Sequence, residues 1–560
     1  MSLRRLGWLV LTATATLICI SCGEVYRPVV IPTNTKPPNP SNFHAVFGIN
    51  ANAPSTPGTA LQIDVAGDTN IGEANMGVNP THATVLPTNA RVFVASAGSL
   101  SPGQADVVSS FTPAVDSSSV TGLGTSTTFT LPFGSLPVFV TTTQTNAVYV
   151  ANYGTNSVSS LNTASNVVTA TSPVGSHPVA MVETGNAQHL YVLNQGDSTV
   201  SDVSPTDLSS IATLPVGMTP VWAVARPDSQ RVYVLTQGDG KVYTINTGND
   251  VVDQGVSVGA GANYMQYDKS RNRLYVTSPS TGFVYVFDAT VDPPVQLAAI
   301  DMTSSACGGA CTPVSVTALP DGSRFYVASY QTSTICPDPT VGASIPCMIP
   351  MLTVFDARSF ALKVPPAMLP GTQSIPLLST VQFDSGQYAV PQVASCAPPA
   401  TYQPGTTRFR MFTTAATDSS HVYVSICDAG TIADVITTTS NIVLGNNNPE
   451  SLITDISAPA AACSGASCGL IATITGFQVS GNIVTFQAAN NFTSGEKIVI
   501  SGLTTGTYLN GKTLTVLGAG LSATQFECNF TNADVPLTTD SGSAVPLPSP
   551  QSPVFLLTGQ

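Results

Sequence analysis

Seven short alternating segments, each built around one aromatic residue, recur along this chain. They are Val92-Phe93-Val94-Ala95, Val148-Tyr149-Val150-Ala151, Leu190-Tyr191-Val192-Leu193, Val232-Tyr233-Val234-Leu235, Leu274-Tyr275-Val276-Thr277, Phe325-Tyr326-Val327-Ala328 and Val422-Tyr423-Val424-Ser425. The central aromatics stand at 93, 149, 191, 233, 275, 326 and 423, with gaps of 56, 42, 42, 42, 51 and 97. Three equal gaps in succession point to repeats that bury their apolar faces on one another. Nine residues after the aromatic a second alternating run starts, at Val158, Val200, Val242, Val284 and Ile432. Turn residues such as Tyr153-Gly154-Thr155-Asn156 separate the two runs, as a hairpin requires. Thirteen residues before the aromatic stands Pro80, Pro178, Pro220 or Pro313, and Pro137 at twelve. A proline there opens a strand, where a missing N–H is tolerated. Each unit supplies about four short strands at a period of roughly 40 residues, which marks a propeller blade. Period-two alternation excludes a helical solenoid. The expectation is an all-β chain with a seven-bladed β-propeller over about 43–460.

Composition narrows the partners. Only 9% of the 560 residues are charged and the formal net charge is −13, which leaves no basic surface for counterion release. Nucleic acid is excluded as a partner. A hydrophobic content of 43% is enough to fill cores and excludes a disordered acidic chain.

The N-terminus reads as an export signal. Arg4-Arg5 precedes an apolar run from Leu6 to Ile20, too short and too rich in Thr for a membrane span. The run ends Cys19-Ile20-Ser21-Cys22-Gly23, which resembles a bacterial lipobox, with Cys19 where Leu is usual. The resemblance implies removal of residues 1–21 and lipidation of Cys22, so that a lipid holds the protein to the membrane. Residues 22–42 then form a Pro-rich tether. The expected location is the cell envelope, on the periplasmic face or the outer surface of the outer membrane.

The irregular gaps locate insertions, and each contains cysteine. Nine extra residues before Tyr326 hold Cys307 and Cys311; a 17-residue insert holds Cys336 and Cys347; about 38 residues around 366–404 hold Cys396. No C-x-x-C spacing with a nearby His suggests a metal, and an exported chain favours disulfides. The expected pairs are Cys307–Cys311, Cys336–Cys347, Cys396–Cys427 and Cys463–Cys468, leaving Cys528 a free thiol. Two segments compete to close the ring, Leu61–Val65 and Ser451–Ile456. Beyond the last repeat, alternating runs separated by Gly and Asn turns suggest a small β-sandwich-like or barrel module over 465–545, followed by a tail at 546–560.

Tyr149-Val150-Ala151-Asn152-Tyr153-Gly154 and Gly175-Ser176-His177-Pro178 resemble the repeats of the YVTN-type seven-bladed β-propellers, a family similar to the lactonase-type propellers. The resemblance spans about 43–440 and is closest over 132–290. It implies the fold and leaves activity open. WD40 repeats are a poor match, because Trp8 and Trp222 are the only tryptophans.

Motifs of catalysis are missing: no G-x-S-x-G, H-E-x-x-H, P-loop or calcium loop occurs, so no catalytic residue, metal or cofactor is assigned. His82 and His177 stand near blade-opening prolines. In the family those loops border the channel mouth, so the pair is the candidate binding site, weighed against plain exposed loop residues. His189, His421, Asp228 and Asp321 read as turn residues, and the repeating tyrosines as packing between blades. Two functions remain: a lipid-anchored scaffold binding an envelope protein, glycan or small molecule, and a lactonase-like hydrolase. Sparse Glu and basic residues in the central blades favour the scaffold.

Overall fold

The computed structural model describes residues 45–559, apart from 52–56, 66–68, 99–105, 115–122, 125, 143–146, 305–309, 334–345, 364–373, 379–388, 438–449, 458–470, 491, 493–496, 531 and 547–551. The export signal, Cys22 and the tether lie outside these residues, as do Cys307, Cys336, Cys463 and Cys468.

Four-stranded antiparallel meanders dominate, and their burial follows from position in the blade. In blade 2 the second strand, Val148–Asn152, is buried at every residue, while the outermost, Val167–Pro173, alternates exposed and half-buried. Inner strands are covered on both faces by neighbouring blades and are therefore largely buried; outer strands meet water on one side. The inner strands of blades 1 to 7 are Pro80–Val85, Pro137–Thr142, Pro178–Glu183, Pro220–Ala225, Tyr264–Asp268, Thr312–Ala318 and Met411–Ala415. Each packs against the next around a central channel. The fold is a β-propeller.

The seven repeats each form a blade, but the ring holds eight. Ala45–Ala51, Pro57–Asp64 and Thr69–Val78 form three strands of a further blade, and Ser552–Thr558 supplies its innermost strand. That strand pairs antiparallel with Ala45–Ala51 and packs against the inner strands of blades 1 and 7. The expectation of seven blades is thus corrected. Phe47 is the eighth member of the aromatic series and is fully buried like the others. It escapes a search for the repeat because Gly48 replaces the usual Val. A Cβ at Gly48 would stand 2.5 Å from Ile432 Cδ1, so blade 7 occupies the space that a side chain would need. Both candidate closing segments are strands, in different blades: Pro57–Asp64 lies in blade 8, and Ser451–Ser457 is the outer strand of blade 7. The expected tail at 546–560 is instead the strand that closes the ring.

Blades are fastened to one another by the buried tyrosines. Tyr149 Oη donates to Pro205 O at 2.5 Å, Tyr191 Oη to Asp250 Oδ1 at 2.9 Å, and Tyr233 Oη to Ala289 O at 3.2 Å. Each acceptor lies in the next blade, so a hydroxyl forced inside by its ring is satisfied across the interface.

Between blade 7 and the closing strand, residues 472–546 form a six-stranded antiparallel sheet with its own core. An antiparallel bridge between Val516 and Cys528 joins its two edges, making it a small barrel. Cys528 is a buried free thiol whose pKa burial pushes up to about 12. The loop after Ser501 owes its shape to Asp540, whose carboxylate accepts five hydrogen bonds, four of them from this loop: the N–H groups of Thr504, Thr505 and Gly506 and the Thr504 hydroxyl. These donors hold the Asp540 carboxyl well below the usual range.

Candidate functional site at the channel mouth

A register shift follows the first proline of blades 1 to 4 and 6, between Pro80 and His82, Pro137 and Phe139, Pro178 and Ala180, Pro220 and Trp222, and Pro313 and Ser315. A bulge bends the strand and re-aims the side chain beyond it. In three blades that side chain is aromatic: His82, Phe139 and Trp222. They meet Tyr264, Phe412 and Phe555 of blades 5, 7 and 8. His82 stacks on Phe139 at 3.7 Å and lies 4.5 Å from Phe555; Trp222 lies 5.0 Å from Tyr264, Tyr264 5.2 Å from Phe412, and Phe412 4.5 Å from Phe555. Phe409 fills the gap, 5.8 Å from Trp222 and 4.9 Å from Phe412. The channel is therefore plugged by rings.

His82, one of the two candidate binding residues, belongs to this plug and is only 6% exposed, so it is not the plain exposed loop residue weighed against a binding role. Its Nδ1 lies 3.0 Å from Val140 O, as the donor of a neutral imidazole. Burial, and secondarily the charge of Arg408, holds its pKa well below the ordinary value. A depressed imidazole pKa contributes stability that is present above the unfolded value of about 6.5 and lost as pH falls below it. Replacing His82 with Gln is expected to flatten the acid limb of the stability curve. Urea midpoints at pH 7.5 and 5 measure this; an equal drop in wild type and variant would refute it.

His177 is exposed, in the left-handed turn (φ 54°) before blade 3, and stacks on Tyr153 at 4.4 Å. The two candidate histidines thus lie in different settings, one inside the plug and one outside. Of the other readings, Asp228 and Asp321 are turn residues, accepting from the N–H groups of Gln230 and Ser323. His189 is more than a turn residue, since its Nδ1 pairs with buried Asp202 at 2.7 Å. His421 begins a strand and is buried.

The insertion after blade 6 builds the mouth. Ile375–Pro376 and Val390–Pro391 pair with the long strand Cys347–Asp356, and the chain then runs from Val393 to Arg410 as a strap. The expected disulfide Cys396–Cys427 is present, with Cα atoms 5.7 Å apart, and ties the strap to blade 7. Asp428 adds a second tie, accepting from Val393 N–H at 2.7 Å. Burial, opposed by Arg410, raises its carboxyl to about 6. Cys347 is also disulfide-bonded, and Cys311 is buried.

Beneath the strap lies a pocket of about 180 Å³, where the inner strands begin. Its wall includes Asn263, Tyr330, Tyr402, Thr407, Arg408 and Arg410. Arg408 reaches from the strap beside blade 7 across the channel to blade 3 on the opposite side, where a guanidinium N–H donates to Val179 O. The guanidinium lies over the Tyr402 ring at 4.1 Å. Its Nε finds no hydrogen-bond partner, and no carboxylate pairs with it among the described residues. Arg410 differs: it is 4% exposed and its Nε lies 3.5 Å from Asp428 Oδ2. At the opposite mouth a cavity of about 260 Å³ is lined by Thr84, Gln266, Thr413 and Thr558 with the rings of the plug. Neither arginine is signalled by the repeat, because both sit in the inserted strap.

No protein-family model matches the sequence, and no curated protein matches it. Solved structures do. The periplasmic gluconolactonase of Pseudomonas aeruginosa is 15% identical, over 63% of this chain and 99% of that one, with a TM-score of 0.43. A putative 6-phosphogluconolactonase from Bacteroides uniformis is 13% identical over 57% and 94%, with a TM-score of 0.42. Hydrazine synthase of Kuenenia stuttgartiensis is 16% identical over 58% and 88%, with a TM-score of 0.41. The chemistries named there belong to those proteins; the propeller is evident here from its own closed ring.

Proposed function

We propose that this protein is a binding propeller of the bacterial cell envelope, held to the membrane by a lipid on Cys22. Its ligand site is the pocket beneath the strap, and the ligand is a small molecule bearing a carboxylate. The observation that carries this reading is Arg408, a guanidinium in the pocket wall with no protein anion facing it among the described residues. A partly desolvated, unpaired cation is costly, and an incoming carboxylate supplies the missing partner with charge-assisted hydrogen bonds. Tyr402 and Tyr330 offer ring faces, and Asn263 and Thr407 polar groups, which together suit a compact hydroxylated acid. The Cys396–Cys427 disulfide accords with an oxidising compartment.

Hydrolysis of a lactone asks for a group that activates water. The described lining of this pocket holds arginines and hydroxyls, with no His, Asp or Glu. This favours binding over the lactonase-like alternative. Calorimetric titration of the full-length protein with glucuronate, and with glucose as the uncharged control, tests the reading. Glucuronate is expected to bind and glucose not, with Arg408→Met reducing affinity at least tenfold. Equal binding of both sugars, or turnover of gluconolactone by the wild type that Arg408→Met abolishes, would overturn it.

A further inference from the structure

The residue two positions before the buried aromatic is basic in six of the eight blades: Arg91, His189, Arg231, Arg273, Arg324 and His421. Four of these are arginines that reach into the following blade. Arg91 donates to Asn166 Oδ1 at 2.9 Å, Arg231 Nε to Asp292 Oδ2 at 2.7 Å, Arg273 to Ala357 O, and Arg324 to Thr437 O at 2.8 Å and to Glu450. The long planar guanidinium spans the seam between blades and brings its positive charge with it.

Blade 3 departs from this arrangement in two ways at once. His189 is too short to play the part of a guanidinium. In addition a carboxylate, Asp202, stands directly across from Tyr191, as Asp434 does from Tyr423 in blade 7, whereas blades 4, 5 and 6 place Thr244, Val286 and Val354 across from their aromatics. A second carboxylate, Asp250, enters from the turn of blade 4 and accepts from the Tyr191 hydroxyl at 2.9 Å. His189 Nδ1 lies 2.7 Å from Asp202 Oδ2, and one donor atom from each of His189, Asp202 and Asp250 falls within 4.8 Å of the others. Asp202 is fully buried, and its Oδ1 has no hydrogen-bond partner among the described residues. Two carboxylates and one imidazole remain one positive charge short even when the imidazole is protonated. At the same place in the following seam, between blades 4 and 5, Arg231 provides that charge.

We propose that His189, Asp202 and Asp250 bind a divalent transition-metal ion that joins blade 3 to blade 4. One imidazole nitrogen and two carboxylate oxygens are a donor set suited to Zn²⁺ or Co²⁺, with a position left for water on the partly exposed side. Tyr191, through its hydrogen bond to Asp250, orients that ligand from behind, as outer partners of metal ligands do. The neutral imidazole is the form that ligates a metal. The site is structural and independent of the pocket beneath the strap.

The test uses the full-length, untagged protein, stripped with EDTA, dialysed, and titrated with ZnCl₂ and CoCl₂. Metal analysis after desalting is expected to give one ion per chain, and Co²⁺ to produce visible absorption bands of a protein-bound ion. His189→Ala and Asp250→Asn should each weaken uptake by at least tenfold, while His177→Ala, at an exposed histidine, leaves it unchanged. Asp250→Asn keeps an acceptor for Tyr191 and so separates loss of metal from loss of fold, which circular dichroism checks. No stoichiometric uptake by the wild type, or undiminished uptake by both ligand variants, would overturn the proposal and leave the cluster a hydrogen-bonded ion pair.

Discussion

A chain ending at residue 551 is expected to lose its cooperative thermal transition, although it lacks only nine residues. Ser552–Thr558 is the innermost strand of blade 8, and Val554, Phe555 and Leu556 are at most 5% exposed. Burying three such side chains is worth about 1.5–3 kcal/mol each. Their sum is comparable with the 5–15 kcal/mol that separates folded from unfolded domains. Removal also uncovers the hydrogen-bonding edge of Ala45–Ala51 and opens the aromatic plug beside His82 and Phe412. Melting curves and limited proteolysis of the truncated and complete chains measure the effect. For a chain that still folds, Phe555→Ala is the gentler probe and should cost about 3–5 kcal/mol. A truncated chain that melts with the full-length midpoint and sharpness would show that the ring does not depend on this strand.

The second large effect is expected at the seam between blades 6 and 7. Glu450 is 5% exposed and accepts from both Arg324 and the Tyr326 hydroxyl, the latter at 2.9 Å. Glu450→Ala strands a guanidinium and a hydroxyl together, and breaking a buried pair from one side costs about 3–5 kcal/mol. Removing both charges, with Arg324→Met added, should cost less than the sum of the two single changes, because no ion is left without a partner. Urea unfolding of the four proteins in the cycle gives the coupling. Strict additivity would show that the pair contributes nothing as a pair. Burial also holds the Glu450 carboxyl above its ordinary range. The folded state therefore keeps that proton longer than the unfolded chain, and this group's contribution to stability declines as pH rises through the carboxylate range.

The repeat was legible because its physical cause is strictly local. An aromatic flanked by β-branched or branched apolar residues must lie on a buried strand, and the turn before the next strand, which starts nine residues later, must return the chain. Tyr149, Tyr191 and Tyr233 accordingly announced their blades and even their work between blades. The eighth blade was hidden for two reasons. Its strands come from opposite ends of the chain, and Gly48 breaks the pattern to make room for Ile432, a contact between residues far apart in sequence. The cysteines at 396 and 427 were readable because one lies in the insertion and the other just past the blade 7 strand that the insertion must meet. The channel interior was not, because His82, Phe139 and Trp222 share only a place after a bulge and belong to no single residue type. Arg408 and Asp250 were invisible for a simpler reason. One sits in a strap without a repeat to align it, and the other is an Asp in a turn, where Asp is ordinary.

The seam that closes the ring has a consequence for how the protein is made. Its two strands are the first and the last of the propeller to leave the ribosome, so vectorial synthesis leaves Ala45–Ala51 with a bare inner edge until Thr558 arrives. Every blade between them can form from neighbouring sequence, but the circle cannot. Folding thus combines fast local steps with one slow, long-range pairing at the end. A chain cut short by a nonsense codon or a protease keeps an open edge that quality-control proteases can seize, and ring closure in this way certifies that the closing strand has been made.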